Sequence, residues 1–398
     1  MRKVVVSGIG AVSTFGIGVP QLWANLENGI CGIRQLRTLD TGELKLQTGA
    51  EFGDFDPAIW LGKEHLLLAD RNAQFALLAA REAVAQAGIK LPPDAAIVTG
   101  CCLGGKHMED AGYRDIYRER KSRVHPTTIP KVMANAAASL LAMEHAVTGP
   151  VFTLSTACSS SNHAIGQAFW MVRNGVVDVA LAGGSEAPFV FGLLKAWDAM
   201  RIVSPDICRP FSKERKGMSL GEGAGMLVLE SEDHARARGA RLLAEVAGFG
   251  MSADAHHITQ PNPEGAAAAM RMALRDAGLA PEQVGYVNAH GTGTQANDPS
   301  ECKALRVVFG DAIRNIAVSS TKSMHGHALG AAGALEAVAS VEALRRGILP
   351  PTANWEALDV ECDIDVIPNQ ARVKQVEAVL SNSFAFGGLN AVLAFRRV

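Results

Sequence analysis

The segment TLSTACSSS, residues 153–161, decides the fold class of this chain. Its first residues continue an apolar run from Val151 that predicts a β-strand, and residues 159–174 have helical composition. A strand that turns into a helix at a corner of small polar residues is typical of α/β proteins, whose sites lie at the carboxyl ends of strands. The segment VSSTKS, residues 318–323, repeats the character of this corner.

The same alternation runs through the rest of the sequence. Strands are predicted at 4–7, 95–99, 151–155, 177–182, 226–230, 243–247, 284–288, 315–319, 378–382 and 391–395. Helices are predicted at 61–87, 131–147, 159–174, 265–277, 298–309 and 329–346. Because one order of elements occurs twice, we expect two duplicated α/β halves, residues 1–245 and 246–398. Segments 104–130 and 187–221 occur only in the first half and are expected to form caps or dimer contacts.

Composition and charge exclude several classes of protein. The 398 residues carry 38 Lys and Arg against 40 Asp and Glu, which argues against a nucleic-acid binder or a polybasic membrane-surface protein. No apolar run reaches the roughly 18 to 20 residues that a membrane span needs, and no signal-peptide pattern opens the chain. Seven cysteines without repeated spacing argue against a disulfide framework. We therefore expect a cytoplasmic protein.

Cys158 is the candidate nucleophile because it lies at the predicted strand-to-helix corner. The unpaired N–H groups and the positive dipole end of the following helix favour a thiolate over a thiol. A buried cysteine acting as a small apolar residue is the alternative. That alternative is our expectation for Cys31, Cys101, Cys102, Cys208, Cys302 and Cys362.

Two further segments place histidines at predicted strand ends. In NAHGTGT, residues 288–294, His290 lies among small residues, so its ring can approach a substrate and donate to a developing oxyanion. In STKSMHGH, residues 320–327, Lys322 and His327 form a pair that can hold charge and orient an imidazole. A structural histidine and a solvated lysine are the alternatives. Glu336 reaches Lys322 only if the loop folds back, so that pairing is a hypothesis.

A glycine turn, NSFAFGGLN at residues 382–390, lies between the last two predicted strands. Its phenylalanines would close an apolar cavity, and its backbone N–H groups would help to line an oxyanion hole. Core phenylalanines beside a turn are the alternative.

Taken together and in this order, the four segments resemble the β-ketoacyl-acyl carrier protein synthases of the thiolase superfamily, specifically the elongating ketosynthases with a Cys-His-His triad. The resemblance covers essentially the whole chain. It rests on TAC at 156–158, HGTGT at 290–294, Lys322 with GH at 326–327, and FGG at 386–388 with Asn390. It implies a thiolase-like α/β fold of five layers, and a homodimer or a heterodimer with a related ketosynthase-like chain.

The resemblance also implies a reaction, the decarboxylative Claisen condensation of an acyl group with malonyl-acyl carrier protein. Cys158 would take the acyl group, and the N–H groups of Cys158 and Phe386 would form the oxyanion hole. His290 and His327 would hold the malonyl thioester and stabilise the enolate that forms when carbon dioxide leaves. No metal and no tightly bound cofactor is expected, because the substrates arrive on the phosphopantetheine of acyl carrier protein.

Further roles follow from the same resemblance. Lys322, Glu336 and Asp298 match supporting positions. The acyl pocket or its gate is expected at Leu103, Phe191 and Phe386. An acidic carrier protein needs a local basic patch, for which a solvated charged surface is the alternative. The candidate docking residues are Arg209, Lys213, Arg215, Lys216, Lys63 and Arg71.

Several positions depart from the fatty-acid branch of the family. The segments HGTGT and CSSS look closer to polyketide ketosynthases, Ala385 stands where the family often has glycine, and His325 replaces a residue that is often Thr or Ser. We therefore expect a discrete type II enzyme of fatty acid, polyene or polyketide synthesis.

Three alternatives stay open at this point. A noncatalytic, chain-length-determining partner of a ketosynthase is disfavoured because such chains have lost the cysteine that Cys158 matches. An acyl-CoA thiolase is disfavoured because thiolases use a second cysteine near the C-terminal glycine turn, which here carries Phe384 and Phe386. A metal-binding module is disfavoured because only His325 and His327 have short paired spacing.

Overall fold

Short β-branched segments form strands and alanine-rich segments form helices in the computed structural model, which describes residues 2–398. The strands in this range are β1 Val4–Ser13, β2 Gly16–Ile17, β3 Arg34–Gln35, β4 Thr48–Gly49, β5 Ala96–Gly100, β6 Val151–Leu154, β7 Val179–Glu186, β8 Gly223–Ser231, β9 Ala244–Ala253, β10 Val284–Asn288, β11 Ala317–Ser319, β12 Ile348–Leu349, β13 Arg372–Val373, β14 Ala378–Ala385 and β15 Leu389–Arg396. The α-helices are α1 Val19–Glu27, α2 Lys63–Leu68, α3 Arg71–Ala87, α4 Lys106–Tyr113, α5 Thr128–Val132, α6 Ala136–His145, α7 Ser160–Arg173, α8 Phe191–Met200, α9 Glu232–Ala237, α10 Pro263–Ala277, α11 Asn297–Phe309, α12 Lys322–His325 and α13 Ala332–Arg346.

One continuous sheet carries the repeat. Its strand order is β11-β10-β14-β15-β9-β1-β8-β7-β5-β6, with β2 attached to β1. Counted outward from the central β1–β9 pair, each half has its strands in the chain order first, fifth, fourth, second, third. Within each half the second strand runs parallel to the third and fourth. The predicted α/β fold of two duplicated halves is therefore confirmed.

The helices complete a five-layered arrangement. Helices α7 and α13 contact strands of both halves, so they form the central layer. Helices α3 and α6 pack on the outside of the first half, and α10, with α11 against it, packs on the outside of the second. Every residue of α13 from Ala332 to Leu344 is buried, as expected for a helix packed between the two halves of the sheet.

Glycines on the first strand of each half mark the duplication at atomic detail. A Cβ added to Gly10 in β1 would lie 1.9 Å from the carbonyl oxygen of Ala79 in α3. A Cβ added to Gly250 in β9 would lie 2.1 Å from the carbonyl oxygen of Ala269 in α10. In both halves, therefore, an outer helix approaches its sheet so closely that only glycine fits.

Some boundaries differ from the sequence expectation or refine it. The predicted helix at 61–87 is two helices, because Ala69 has an extended backbone conformation and separates α2 from α3. The proposed division between residues 245 and 246 falls just inside β9, the first strand of the second half, and its use as a domain boundary stays a prediction. No helix in residues 2–398 combines the length and the apolar character needed to cross a membrane.

Candidate active site

Cys158 lies in a tight corner between β6 and α7, where the chain bends through a left-handed residue. Ala157 has a φ of 52°, which is strained for a residue with a side chain. Small hydroxyl side chains stabilise the bend: Ser160 Oγ accepts a hydrogen bond from the Thr156 N–H at 2.9 Å, and Ser159 Oγ donates to the Thr156 carbonyl at 2.9 Å. The run of small polar residues therefore serves to present the cysteine at the start of the central helix α7.

Competing effects act on the thiol of Cys158. Burial raises its pKa to about 11, while the charge of Lys322 and the backbone N–H groups of Phe386 and of Cys158 itself lower it. The N–H groups at this corner thus act in the predicted direction, but burial outweighs them and the resting group is a thiol. Two N–H groups that lie close enough to lower the pKa of the sulfur are suitably placed to receive an oxyanion formed there.

His290 lies just beyond the end of β10, and a buried carboxylate holds its loop. Glu301 accepts hydrogen bonds from the His290 N–H at 2.9 Å and the Gly291 N–H at 2.8 Å, and from Asn382 Nδ2 at 3.1 Å. Sequence reasoning missed Glu301. The sequence did contain a feature that could have indicated Glu301: it lies three residues after Asp298, on the same face of a predicted helix.

Lys322 and Glu336 form the ion pair that the sequence suggested as a hypothesis. Both side chains are fully buried; Lys322 Nζ contacts Glu336 Oε1 and donates to the carbonyl oxygen of His290 at 2.6 Å. Burial raises the pKa of Glu336 to about 7, although the Lys322 charge opposes this shift. The lysine thus connects the loop after β11, the loop after β10 and the central helix α13.

His327 faces His290, with ring centroids 5.4 Å apart and ring planes nearly perpendicular. The Leu329 N–H donates to His327 Nδ1 at 3.2 Å, so the proton of the neutral ring resides on Nε2. Burial and the Lys322 charge hold the pKa of both histidines well below the ordinary value. Both rings are therefore neutral at physiological pH, and His327 presents Nε2–H as a hydrogen-bond donor.

Asp298 is buried at the start of α11 and acts on backbone groups. Its Oδ2 accepts from the Phe211 N–H at 2.8 Å, and its Oδ1 accepts from the Gly293 N–H at 3.1 Å. It therefore fixes the loop after β10 against the segment that carries Phe211.

A cavity of about 330 Å³ opens onto these groups, and its walls include Cys158, His290, His327 and Phe386. Phe386 stacks near Trp197, with centroids 6.3 Å apart. The two other predicted pocket residues do not line this cavity. Leu103 packs against an apolar cluster that includes Phe189 and Leu329, and Phe191 begins α8 with 39% of its surface exposed.

Three of the six predicted docking residues already form ion pairs within the protein. Arg215 is only 2% exposed and binds Asp359, and the guanidinium of Arg71 is paired with buried Glu222. The largely buried Arg209 side chain binds Asp206 and Glu356. The other three predicted docking residues are exposed: Lys63, Lys213 and Lys216.

Two family profiles match most of the chain. The profile described as "Beta-ketoacyl synthase, N-terminal domain" matches residues 1–235, and "Beta-ketoacyl synthase, C-terminal domain" matches residues 243–356. The chain belongs to the β-ketoacyl synthase family. The resemblance found from the sequence is thereby confirmed.

Individual relatives and a solved structure match this chain over 99–100% of their own length. The chain is 47% identical to nodulation protein E of Rhizobium sp. (strain N33), over 100% of both chains. It is 40% identical to 3-oxoacyl-[acyl-carrier-protein] synthase 2 of Coxiella burnetii (strain RSA 493 / Nine Mile phase I), over 100% of this chain and 99% of the other. The solved structure "The ishigamide ketosynthase/chain length factor" superposes with a TM-score of 0.95 at 38% identity, over 100% of this chain and 99% of that one.

Proposed function

We propose that the cavity beside Cys158 catalyses the decarboxylative Claisen condensation of an acyl group with malonyl-acyl carrier protein, which yields a β-ketoacyl-acyl carrier protein and carbon dioxide. One observation carries this proposal: a buried cysteine and two neutral histidines open onto the same cavity. The names of relatives such as the Coxiella burnetii 3-oxoacyl-[acyl-carrier-protein] synthase 2 support the same reaction class.

In the first step, the sulfur of Cys158 attacks the carbonyl carbon of an acyl thioester. The S–C bond to the enzyme forms, and the thiol of the carrier's phosphopantetheine leaves with the proton of the cysteine. The N–H groups of Phe386 and Cys158 stabilise the oxyanion of the tetrahedral intermediate. Their proximity to the sulfur supports this role.

In the second step, malonyl-acyl carrier protein loses carbon dioxide, and the electron pair of the broken C–C bond forms an enolate. His327 Nε2–H donates a hydrogen bond to the enolate oxygen. His290, whose ring centroid lies 5.4 Å from that of His327, helps to hold the malonyl thioester at the same place. Both rings are neutral because burial, with a further contribution from the Lys322 charge, holds their pKa well below the ordinary value. The carbanion then attacks the acyl-Cys158 thioester and forms the new C–C bond, and the cysteine leaves as a thiolate that takes up from solvent the one proton that the overall reaction consumes.

The proposed partners are an acyl carrier protein and a second ketosynthase-like chain. Exposed Lys63, Lys213 and Lys216 are available to attract an acidic carrier. The cap of the first half also exposes large apolar side chains, which suits burial against another chain. These are Tyr113, Ile116, Tyr117, Val124 and Ile129. A similar chain of known structure is described as a ketosynthase/chain length factor. The proposed partner is therefore a second copy of this chain, in a homodimer, or a related ketosynthase-like chain, in a heterodimer.

The compartment and pathway are proposed on separate grounds. All seven cysteines are free thiols, which suits the reducing environment of the cytoplasm. Relatives range from nodulation protein E to 3-oxoacyl-[acyl-carrier-protein] synthase 2, which fits a discrete enzyme of type II fatty acid, polyene or polyketide synthesis. A noncatalytic role as a chain length factor is not favoured, because the nucleophile and its surroundings are complete.

The decisive experiment follows the acyl group by intact-protein mass spectrometry. The protein is offered a panel of acyl-carrier proteins, with and without malonyl-carrier protein, alongside Cys158→Ala and the matched buried-cysteine control Cys362→Ala. We expect an acyl adduct on the parent and on the control, none on Cys158→Ala, and condensation at least about 1,000-fold slower in that variant. A normal rate of condensation by Cys158→Ala would contradict the proposal.

A further inference from the structure

His325 is a third buried histidine beside the candidate active site, and the condensation scheme assigns it no task. It ends the short helix α12, two residues before His327, and is completely buried. The loop around it is fixed from the other side, because the His327 N–H donates to the Ser219 carbonyl at 2.7 Å and the Gly221 N–H donates to the His327 carbonyl at 2.9 Å.

Both ring nitrogens of His325 have partners. Nδ1 lies 2.8 Å from the carbonyl oxygen of Gly326, which can only accept a hydrogen bond, so Nδ1 carries the proton. Nε2 lies 3.0 Å from Thr321 Oγ1 and therefore accepts from that hydroxyl. The hydroxyl has a further neighbour in Asn288 Nδ2 at 3.5 Å. This chain of contacts selects one neutral tautomer of His325.

The bond from Nδ1 acts on the peptide that leads into His327. Gly326 is buried and has a φ of 70°, where a Cβ would lie 2.7 Å from the Leu220 carbonyl oxygen. Among residues 2–398, His325 Nδ1 is the one recorded hydrogen-bond donor to the Gly326 carbonyl. Without it, a buried carbonyl would be left unpaired, and the Gly326–His327 peptide plane would keep only the bond from its N–H to the Ser219 carbonyl.

We propose that His325 is a positioning residue for His327, acting through the hydrogen bond from its Nδ1–H to the Gly326 carbonyl. Together with the bond from the His327 N–H to Ser219, this hydrogen bond fixes the peptide plane from which His327 extends, and so aims the Nε2–H of His327 at the developing enolate. This inference rests on the proposed function, because it deepens the role of His327 in the decarboxylation and condensation step.

Two substitutions separate the two ring nitrogens. In His325→Asn, the side-chain NH2 takes a place near that of Nδ1, so the donor to Gly326 is kept. In His325→Gln, the longer amide reaches the place of Nε2, so the contact with Thr321 is kept and the donor to Gly326 is lost. Each purified variant is first acylated, and the loss of the acyl adduct is then timed after malonyl-carrier protein is added. Only folded enzyme that has accepted the acyl group is scored.

We expect His325→Gln to consume its acyl adduct at least 10-fold more slowly than the parent, with an unchanged KM for malonyl-carrier protein and a Cys158 acylation rate within twofold. His325→Asn should stay within about threefold of the parent in both steps. Equal rates for the two variants, or a parallel fall of acylation and condensation in His325→Gln, would overturn the inference. A parent that forms no adduct or product would instead refute the proposed function.

Discussion

The loops after β5 and β10 take equivalent places in the two halves, and each is held by a buried carboxylate. Glu186 accepts from the N–H groups of Cys102 and Leu103 at 2.9 and 3.2 Å, as Glu301 does from those of His290 and Gly291. The carboxylates come from different elements, β7 and α11. The two halves thus share a way of fixing a loop, but only one loop presents a histidine to the cavity.

The corners after β6 and β11 differ in a similar way. The first places Cys158 at the start of a central helix, whereas the second places Lys322 against Glu336 of the other central helix. Duplication therefore brings two equivalent corners together, and the sequence of each determines whether it supplies covalent or electrostatic chemistry.

Breaking the ion pair of the second corner should give the largest effect on stability. Lys322→Met leaves the Glu336 carboxyl buried without its cation, which should lower the free energy of unfolding by about 3–5 kcal/mol. Urea unfolding measures this change in free energy. The control is Lys303→Met, a matched substitution at an exposed lysine, whose free energy of unfolding should lie within about 0.5 kcal/mol of that of the parent. The double variant Lys322→Met/Glu336→Leu should recover much of the loss while condensation stays impaired. A single variant as stable as the parent would show that the pair is dispensable.

The two loop-holding carboxylates allow a matched test of the first comparison. Glu186→Gln and Glu301→Gln each turn one acceptor oxygen into an NH2 group that faces backbone N–H donors, so each should cost about 1–3 kcal/mol of unfolding free energy. Condensation measured on pre-acylated enzyme should separate them, because only Glu301 holds the His290 loop. We expect at least a 10-fold loss for Glu301→Gln and less than threefold for Glu186→Gln. Equal losses would mean that the halves are not divided in this way.

The sequence predicted the candidate catalytic side chains that lie at strand ends, because strand ends can be recognised from the local pattern of apolar and polar residues. It indicated Cys158, His290 and His327 together with the duplicated order of elements. The sequence did not show which charged side chains are buried in the folded protein. Arg215 lies in a segment rich in charge, yet it is buried because Asp359, 144 positions away, neutralises it. Glu301 was missed for the same reason, since its partners lie on a loop and on β14.

The smallest expected effect concerns pH and again involves His325. Burial, aided by the Lys322 charge, lowers the pKa of His325 to about 3, whereas in the unfolded chain a histidine titrates near 6.5. Below pH 6.5 the histidine is protonated in the unfolded state but not in the folded state, so it lowers the free energy of unfolding as pH falls. Between pH 7.5 and 5.5 that cost grows by about 1.4 kcal/mol.

Replacement of the ring removes this cost. Relative to the parent, His325→Asn should therefore gain about 1.4 kcal/mol of unfolding free energy when the pH falls from 7.5 to 5.5, as measured by reversible urea unfolding at the two values. His325→Gln should gain the same amount, although the two variants are expected to differ in condensation. A difference from the parent that does not change with pH would show that His325 takes up a proton in the folded state, which would break the tautomer on which its hydrogen bond to Gly326 depends.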